Sequence, residues 1–307
     1  MIRILLRLSL RIAFKGVMSL PLPVGIQRLW LGFISETSLR ARNTTTESAS
    51  PSFSGQWVRC KKRDLGRVIL YLHGGGYTTG SADSHKAITS RLAVNTGASV
   101  LALEYRLAPE NPYPAGMEDA LRAYRNLLQR FRPQDISFAG DSAGAGLVLS
   151  TVLALMNDRQ PLPASIALIS PWTDLSLSGE SVQRLAAKDP MLSTHWLRRA
   201  ADAYRSGLQK RDARISPLFA ELRSLPPLLI QVGADEILLS DSERLAANAK
   251  AVGVDVTLEI EPDMWHDYQI HGGLLDVADQ ALVRMGQFMT RHWESLGSAR
   301  STETQDS

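Results

Sequence analysis

Residues 136 to 146, ISFAGDSAGAG, run from a short apolar stretch into a knot of small residues, Gly140-Asp141-Ser142-Ala143-Gly144. A G-x-S-x-G spacing of this kind suits one backbone path above others: a strand that turns sharply into a helix and leaves the serine hydroxyl at the crest. Side chains two residues to either side would crowd so tight a turn, which accounts for the glycine at both places. Leu147 to Met156, LVLSTVLALM, reads as the helix that follows. Its N-terminal amides, Ala143 among them, then point at whatever oxygen Ser142 attacks. The same cluster taken alone also suits plain helix–strand packing, so the rest of the chain has to decide.

From Arg67 onward apolar runs and helical patterns alternate, the mark of a parallel sheet wrapped on both faces. VILYL (68–72), SVLALEY (99–105), ISFAG (136–140), SIALIS (165–170), LLIQVG (228–233) and VTLEI (256–260) read as strands. Helices are expected at 84–95, 116–129, 241–252 and from about Asp276 to Trp293. Asp174 to Leu222 lacks strand character and holds one helix, Ser193 to Ser206. The N-terminus, MIRILLRLSLRIAFKG, is helical in period, with Arg3, Arg7, Arg11 and Lys15 on one stripe. The arginines interrupt what would be a signal-peptide apolar core, so a retained amphipathic helix is expected. Pro21 and Pro23 end it, and Gln27 to Ile34 is a second short helix. Residues 41–55 are polar and small and read as a connector, and the polar tail 297–307 as disordered.

With 307 residues, 44% of them hydrophobic, the chain can bury one large core. A single cysteine, Cys60, excludes an internal disulfide framework and fits a reducing cytoplasm. The histidines and cysteine lack zinc-ligand spacing, and no P-loop motif occurs, so neither metal nor cofactor is expected. The net charge of +3 is spread along the chain without a nucleic-acid-binding module, which argues against nucleic acid as a partner.

A serine raised on an elbow needs a base, a carboxylate to orient that base, and donors for an oxyanion. In elbow hydrolases the acid and the histidine follow the serine, each on a loop at the carboxyl end of a later strand. Asp235 lies two residues beyond LLIQVG, and His266 just beyond VTLEI, in Met264-Trp265-His266. Asp241 reads first as a helix N-cap and His271 as a surface histidine, so both rank behind. His73-Gly74-Gly75-Gly76, directly after VILYL, offers amides unobstructed by Cβ atoms. Gly74 and Gly75, with Ala143, are the expected oxyanion donors, and His73 is expected to brace the loop. A phosphate-binding glycine loop is the alternative, but the dinucleotide spacing is missing.

HGGGY at 73–77, YRLAPENPYPA at 105–115, GDSAGAG at 140–146, SPWTDLS at 170–176, DPM at 189–191, GADEILLSDS at 233–242 and MWHDY at 264–268 occur in one order. Together they resemble the hormone-sensitive-lipase-like carboxylesterases, over about residues 65 to 293. The resemblance implies an α/β-hydrolase fold with a mostly parallel central sheet, wrapped by helices and carrying a helical cap. It supports Ser142, Asp235 and His266 as the triad.

The domain expectation is therefore an N-terminal helical cap segment and connector over 1–55, a catalytic domain over 56–296 with a cap insertion at about 175–215, and the tail. Trp172 and Trp196 are expected either in an acyl pocket or in plain packing, and Arg106, Glu110 and Asp119 in a polar network. The expected function is hydrolysis of short to medium acyl esters through an acyl-enzyme. A lactone or acetyl-ester hydrolase on the same site, and a non-catalytic small-molecule binder, are the alternatives. The partners expected are a small-molecule ester, a weak membrane-surface contact through the basic N-terminal helix, and a second copy of the chain in a homodimer.

Overall fold

Apolar runs bounded by glycine and polar turns become strands because a sheet covered on both faces can bury every side chain they carry. The computed structural model describes residues 1–49 and 53–303. In chain order the strands are β1 (Thr44–Ser48), β2 (Gly55–Cys60), β3 (Val68–Leu72), β4 (Ser99–Leu103), β5 (Ile136–Asp141), β6 (Ser165–Ile169), β7 (Leu228–Gly233) and β8 (Val256–Glu261). They form one sheet in the order β1-β2-β4-β3-β5-β6-β7-β8. β1 and β2 are antiparallel to their neighbours and all later pairs are parallel. Every residue of β3 to β7 is buried.

The helices are α1 (Ile2–Ser9), α2 (Val17–Ser19), α3 (Val24–Ser35), α4 (Lys86–Thr96), α5 (Ala115–Leu127), α6 (Ser142–Asn157), α7 (Ser181–Arg184), α8 (Thr194–Tyr204), α9 (Leu239–Ala251) and α10 (Asp276–Glu303), with a π-helical stretch, Leu10–Gly16, joining α1 to α2. Alternate strand residues face opposite ways. Ile69, Tyr71, Val100 and Ala167 meet α4 and α10, while Leu70, Leu72, Phe138 and Ile230 meet α5, α6 and α9. The helix α8 joins the second of these cores through Trp196, Leu197, Ala201 and Tyr204.

Strand order positions the site. The chain winds outward from the centre in opposite directions, so β3 and β5 lie side by side with Leu72 opposite Gly140. In open α/β sheets the carboxyl ends at the point where strand order reverses are where ligands bind, and the loops leaving β3 and β5 both stand there.

Two expectations from sequence fail here. The polar connector contains β1 and the start of β2, paired from Thr44↔Cys60 to Ser48↔Gln56. Its threonines are β-branched and suit an edge strand whose side chains stay largely exposed, a pattern without the apolar signal of the inner strands. The tail expected to be disordered is helical as far as Glu303, because no proline stops α10; residues 50–52 and 304–307 lie outside the described residues. In the polar network, Arg106 binds Asp119 through Nε at 2.9 Å, whereas Glu110 pairs instead with Arg28 at 2.7 Å.

The N-terminal run docks with its faces reversed from expectation. Arg7, Arg11 and Lys15 turn inward: Arg7 to Asp235, Arg11 to the Ala187 carbonyl at 3.0 Å, Lys15 to the Ala186 and Asp189 carbonyls at 2.8 and 2.6 Å. Ile2, Ile4, Leu5, Leu8 and Ile12 face outward. The buried Asp235 carboxylate and the carbonyl of buried Asp189 left without donors cost more than exposed leucines do, which decides the orientation. Three of the four members of the basic stripe are thus engaged within the chain. Phe14 and Met18 still anchor the run, each burial contributing roughly 1.5–3 kcal/mol.

A Cβ on Gly144 would collide with the carbonyl oxygens of Leu72 and His73, whereas one on Gly32 meets nothing. Gly144→Ala is therefore expected to lower the thermal midpoint sharply, and Gly32→Ala to raise stability by up to about 1 kcal/mol through helix propensity. Paired thermal melts check both; equal midpoints would contradict the tight elbow.

Candidate active site

The elbow forms where β5 ends and α6 begins. Ser142 sits at φ 52°, a left-handed conformation that costs a non-glycine residue on the order of 1–3 kcal/mol and persists only when its surroundings enforce it. They do so by contact: a Cβ on Gly140 would lie 2.7 Å from the Leu72 carbonyl oxygen, and the Trp172 amide donates to the Ser142 carbonyl at 3.0 Å. The serine is buried, 4% exposed.

His266 reaches the serine from the loop after β8. Its Nε2 lies 2.9 Å from Ser142 Oγ, and its Nδ1 lies 2.9 Å from Glu236 Oε1. A carboxylate only accepts, so Nδ1 carries the proton, and a neutral ring leaves Nε2 free to accept from the serine hydroxyl. Glu236 is fully buried, and its other oxygen accepts from Ser170 Oγ at 2.7 Å and from the Gly233 amide at 2.9 Å.

Asp235, the acid expected from the sequence, does not touch His266. Its carboxylate turns the other way, 2.5 Å from Arg7 Nη2 and 2.5 Å from Lys188 Nζ. Both residues follow β7 on one loop, and consecutive side chains there point apart; two cations gather Asp235 while the ring and two donors gather Glu236. The carboxylate that reaches His266 is that of Glu236, the neighbour of the Asp235 expected from the sequence. Of the residues set behind, Asp241 accepts from the Thr173 and Asp174 amides at 2.8 Å each, holding the loop after β6 rather than capping a helix. His271 is half-buried rather than on the surface, and desolvation lowers its pKa to about 4.

Ser170 and Asp267 were missed. Ser170 Oγ donates to Glu236 and accepts from the Asp267 amide at 3.2 Å, so one hydroxyl ties the acid's loop to the histidine's. Its signal was the serine opening SPWTDLS directly after a strand. Burial alone would lower the pKa of His266, but the Asp267 and Glu236 carboxylates outweigh it and hold the imidazolium well above the ordinary range.

The glycine loop leaves β3 against the elbow. A Cβ on Gly74 would strike the Asp141 carboxylate, and one on Gly75, at φ 118°, would strike the Thr79 carbonyl. Among the described residues the Gly74 and Gly75 amides donate no hydrogen bond. His73 braces the loop: its Nδ1 donates to the Gly74 carbonyl at 2.8 Å, its carbonyl accepts from Tyr105 Oη at 2.7 Å, and its ring stacks on Tyr105 at 4.4 Å. Burial lowers its pKa to about 4, keeping it neutral. Below the elbow, Asp141 accepts from Tyr71 Oη at 2.5 Å and lies 3.0 Å from His85 Nε2.

The segment between α7 and α8 and the N-terminal run pack beside this group. Asp189 accepts from the Ile237 amide at 2.9 Å, beside Glu236. Arg7 lies 5.6 Å over the Trp265 ring, beside His266. Phe14 meets Trp196 edge-on at 5.9 Å, and Trp196 Nε1 donates to Gln27 Oε1 at 3.2 Å. Trp172 is fully buried, with Nε1 donating to the Asp174 carbonyl, which places it in the packing, whereas Trp196 lies against Gly76 of the glycine loop.

A family profile described as alpha/beta hydrolase fold matches residues 69–270. The chain is 43% identical over 237 residues to an acetyl-hydrolase of Streptomyces hygroscopicus, covering 77% of this chain and 79% of that one. It is 33% identical over 236 residues to an ethyl acetate hydrolase of Pseudomonas putida, covering 74% of each. A crystal structure of an esterase from the bacterial hormone-sensitive lipase family superposes with a TM-score of 0.89 at 36% identity, over 95% of this chain and 97% of that one. Shared sequence and shared fold place the chain among the hormone-sensitive-lipase-like carboxylesterases of the α/β-hydrolase fold, which are carboxylic ester hydrolases.

Proposed function

We propose that the chain hydrolyses esters of short to medium acyl chains through an acyl-enzyme, with Ser142 as nucleophile, His266 as base and Glu236 as the orienting acid. The hydrogen-bonded line from Ser142 Oγ through the imidazole to Glu236 is the observation that carries the reading. Ser142 Oγ attacks the ester carbonyl carbon while its proton passes to His266 Nε2. The oxyanion forms facing the Gly74, Gly75 and Ala143 amides, and donors fixed in place need no reorganisation as charge develops. His266 returns the proton to the departing alkoxide as the acyl–oxygen bond breaks. Water, deprotonated by the same nitrogen, then releases the acid and restores Ser142. The names of the two relatives, an acetyl-hydrolase and an ethyl acetate hydrolase, favour small acyl groups.

Glu236→Gln puts an amide where a carboxylate held the ring's tautomer and its charge. It is expected to lower kcat by roughly 10⁴-fold, as removal of the orienting charge does in a comparable triad. Asp235→Asn is expected to leave kcat within about tenfold, since its carboxylate faces Arg7 and Lys188. Steady-state kinetics on p-nitrophenyl acetate decide: a severe Asp235→Asn with a mild Glu236→Gln would return the acid's role to Asp235.

We further propose that residues 1–35 and α7–α8 form the cap over the acyl chain. Phe14, Met18 and Trp196 lie in the same core as the elbow helix, and the serine beneath is buried. Deleting residues 1–35 removes apolar area that would meet acyl chain rather than carbonyl. The ratio of KM for hexanoate to KM for acetate esters is then expected to rise severalfold, alongside a lowered thermal midpoint. An unchanged ratio would refute the cap.

A further inference from the structure

Asp267 follows His266 and is held at φ 52°, in the left-handed region that Asp and Asn tolerate better than most side chains. That conformation folds its carboxylate back over the preceding ring, and Asp267 Oδ2 lies 3.0 Å from His266 Nε2. The same nitrogen lies 2.9 Å from Ser142 Oγ. His266 is thus flanked by two carboxylates, Glu236 at Nδ1 and Asp267 at Nε2, and the second shares its nitrogen with the nucleophile. Asp267 is buried, and among the described residues its Oδ1 has no hydrogen-bond partner and no cation other than His266 pairs with it.

We propose that Asp267 is a positioning residue for ester hydrolysis, holding the His266 imidazolium from the Nε2 side in competition with Ser142. This rests on the assignment of Ser142 and His266 as nucleophile and base. When the serine proton reaches Nε2, the new N–H has two acceptors in range, the alkoxide-derived oxygen and Asp267 Oδ2. The carboxylate thereby stabilises the ion pair of the transition state. The same attraction acts before reaction: an ionised Asp267 keeps the proton on Nε2 and withholds the base until the pH rises.

The groups facing the pair come from every adjoining element. Glu236 stands on the loop after β7, Asp141 at the end of β5 with His85 and Tyr71 behind it, Asp189 on the cap side, and Ser170 Oγ on the Asp267 amide. Burial, with the charges of Asp141 and Glu236 adding to it, outweighs the pull of His266 and raises Asp267 to about 7. His266 is raised as well, its proton held by both carboxylates. The sign follows: removing the Asp267 charge lowers the pKa of His266, so the free base is present at lower pH.

The test is the pH dependence of kcat/KM on p-nitrophenyl acetate for the wild type, Asp267→Asn and Asp267→Gly. Both replacements tolerate the left-handed backbone, and the first keeps the shape. The acid limb is expected to move down by about one unit or more in both, the range for a close opposite charge. At a pH one unit below the wild-type midpoint, activity relative to each enzyme's own plateau then rises severalfold, while the plateau falls because a less basic imidazole is a weaker proton acceptor. A lowered plateau with an unmoved acid limb in both variants overturns the proposal, since that is what a purely structural role gives. The His266 ring C–H resonances followed against pH read the same shift without turnover, and an unmoved midpoint there overturns it equally. Full activity in His266→Ala would overturn the triad itself, whatever the Asp267 variants do, so the two failures are told apart.

Discussion

The site depends on a charge placed where water does not reach. Glu236 is fully buried, and a carboxyl group in that position is tolerable only because donors meet both of its oxygens: the His266 ring at Oε1, the Ser170 hydroxyl and the Gly233 amide at Oε2. Each donor comes from a different strand end, β8, β6 and β7. Satisfying one carboxylate therefore fixes three loops against one another, and Asp267, bonded through its amide to the same Ser170, is placed by the same demand. Buried polar networks of this kind are costly when half satisfied and rigid when complete, which suits a group that must hold a ring within hydrogen-bond reach of a nucleophile.

A second carboxylate solves a different problem next door. Asp235 is almost wholly buried, and its partners, Arg7 and Lys188, come from the N-terminal helix and the cap region. The pair of cations fastens those outlying segments at the rim of the site rather than tuning the histidine. Lys15 and Arg11 extend the attachment by donating to the carbonyls of residues 186 to 189, which carry no helical partners. An amphipathic helix ordinarily turns its apolar face inward; here only Leu6, Leu10, Phe14 and Met18 do so, and the polar contacts set the rotation. Of these acceptors Asp235 and Asp189 belong to buried residues, and leaving either unpaired costs roughly 1–3 kcal/mol, comparable with burying one more leucine.

These balances explain what could be read in advance. The elbow, the glycine loop and the inner strands were legible because steric exclusion and full burial leave few residue types that fit, and those types stand in the sequence at fixed spacing. Ser142 and His266 are brought together for that reason. Asp235 and Glu236 were not separable, since both are acids on one loop and the choice rests on Arg7, 228 positions away. The edge strand β1 was illegible because threonine and serine exposed on both sides look like a linker. The rotation of α1 was not legible because periodicity reveals two faces without saying which of them meets donors or acceptors. Asp267 carries no signal of its own in the sequence; the backbone turn and its approach to His266 show where its carboxylate goes.

The partner of His266 is what the account turns on, and it can be observed directly. The proton on His266 Nδ1 resonates at low field in the one-dimensional proton spectrum when it is held by a carboxylate and shielded from exchange. The geometry predicts that this resonance persists in Asp235→Asn and disappears or moves upfield in Glu236→Gln. A resonance that survives Glu236→Gln and is lost in Asp235→Asn would contradict it.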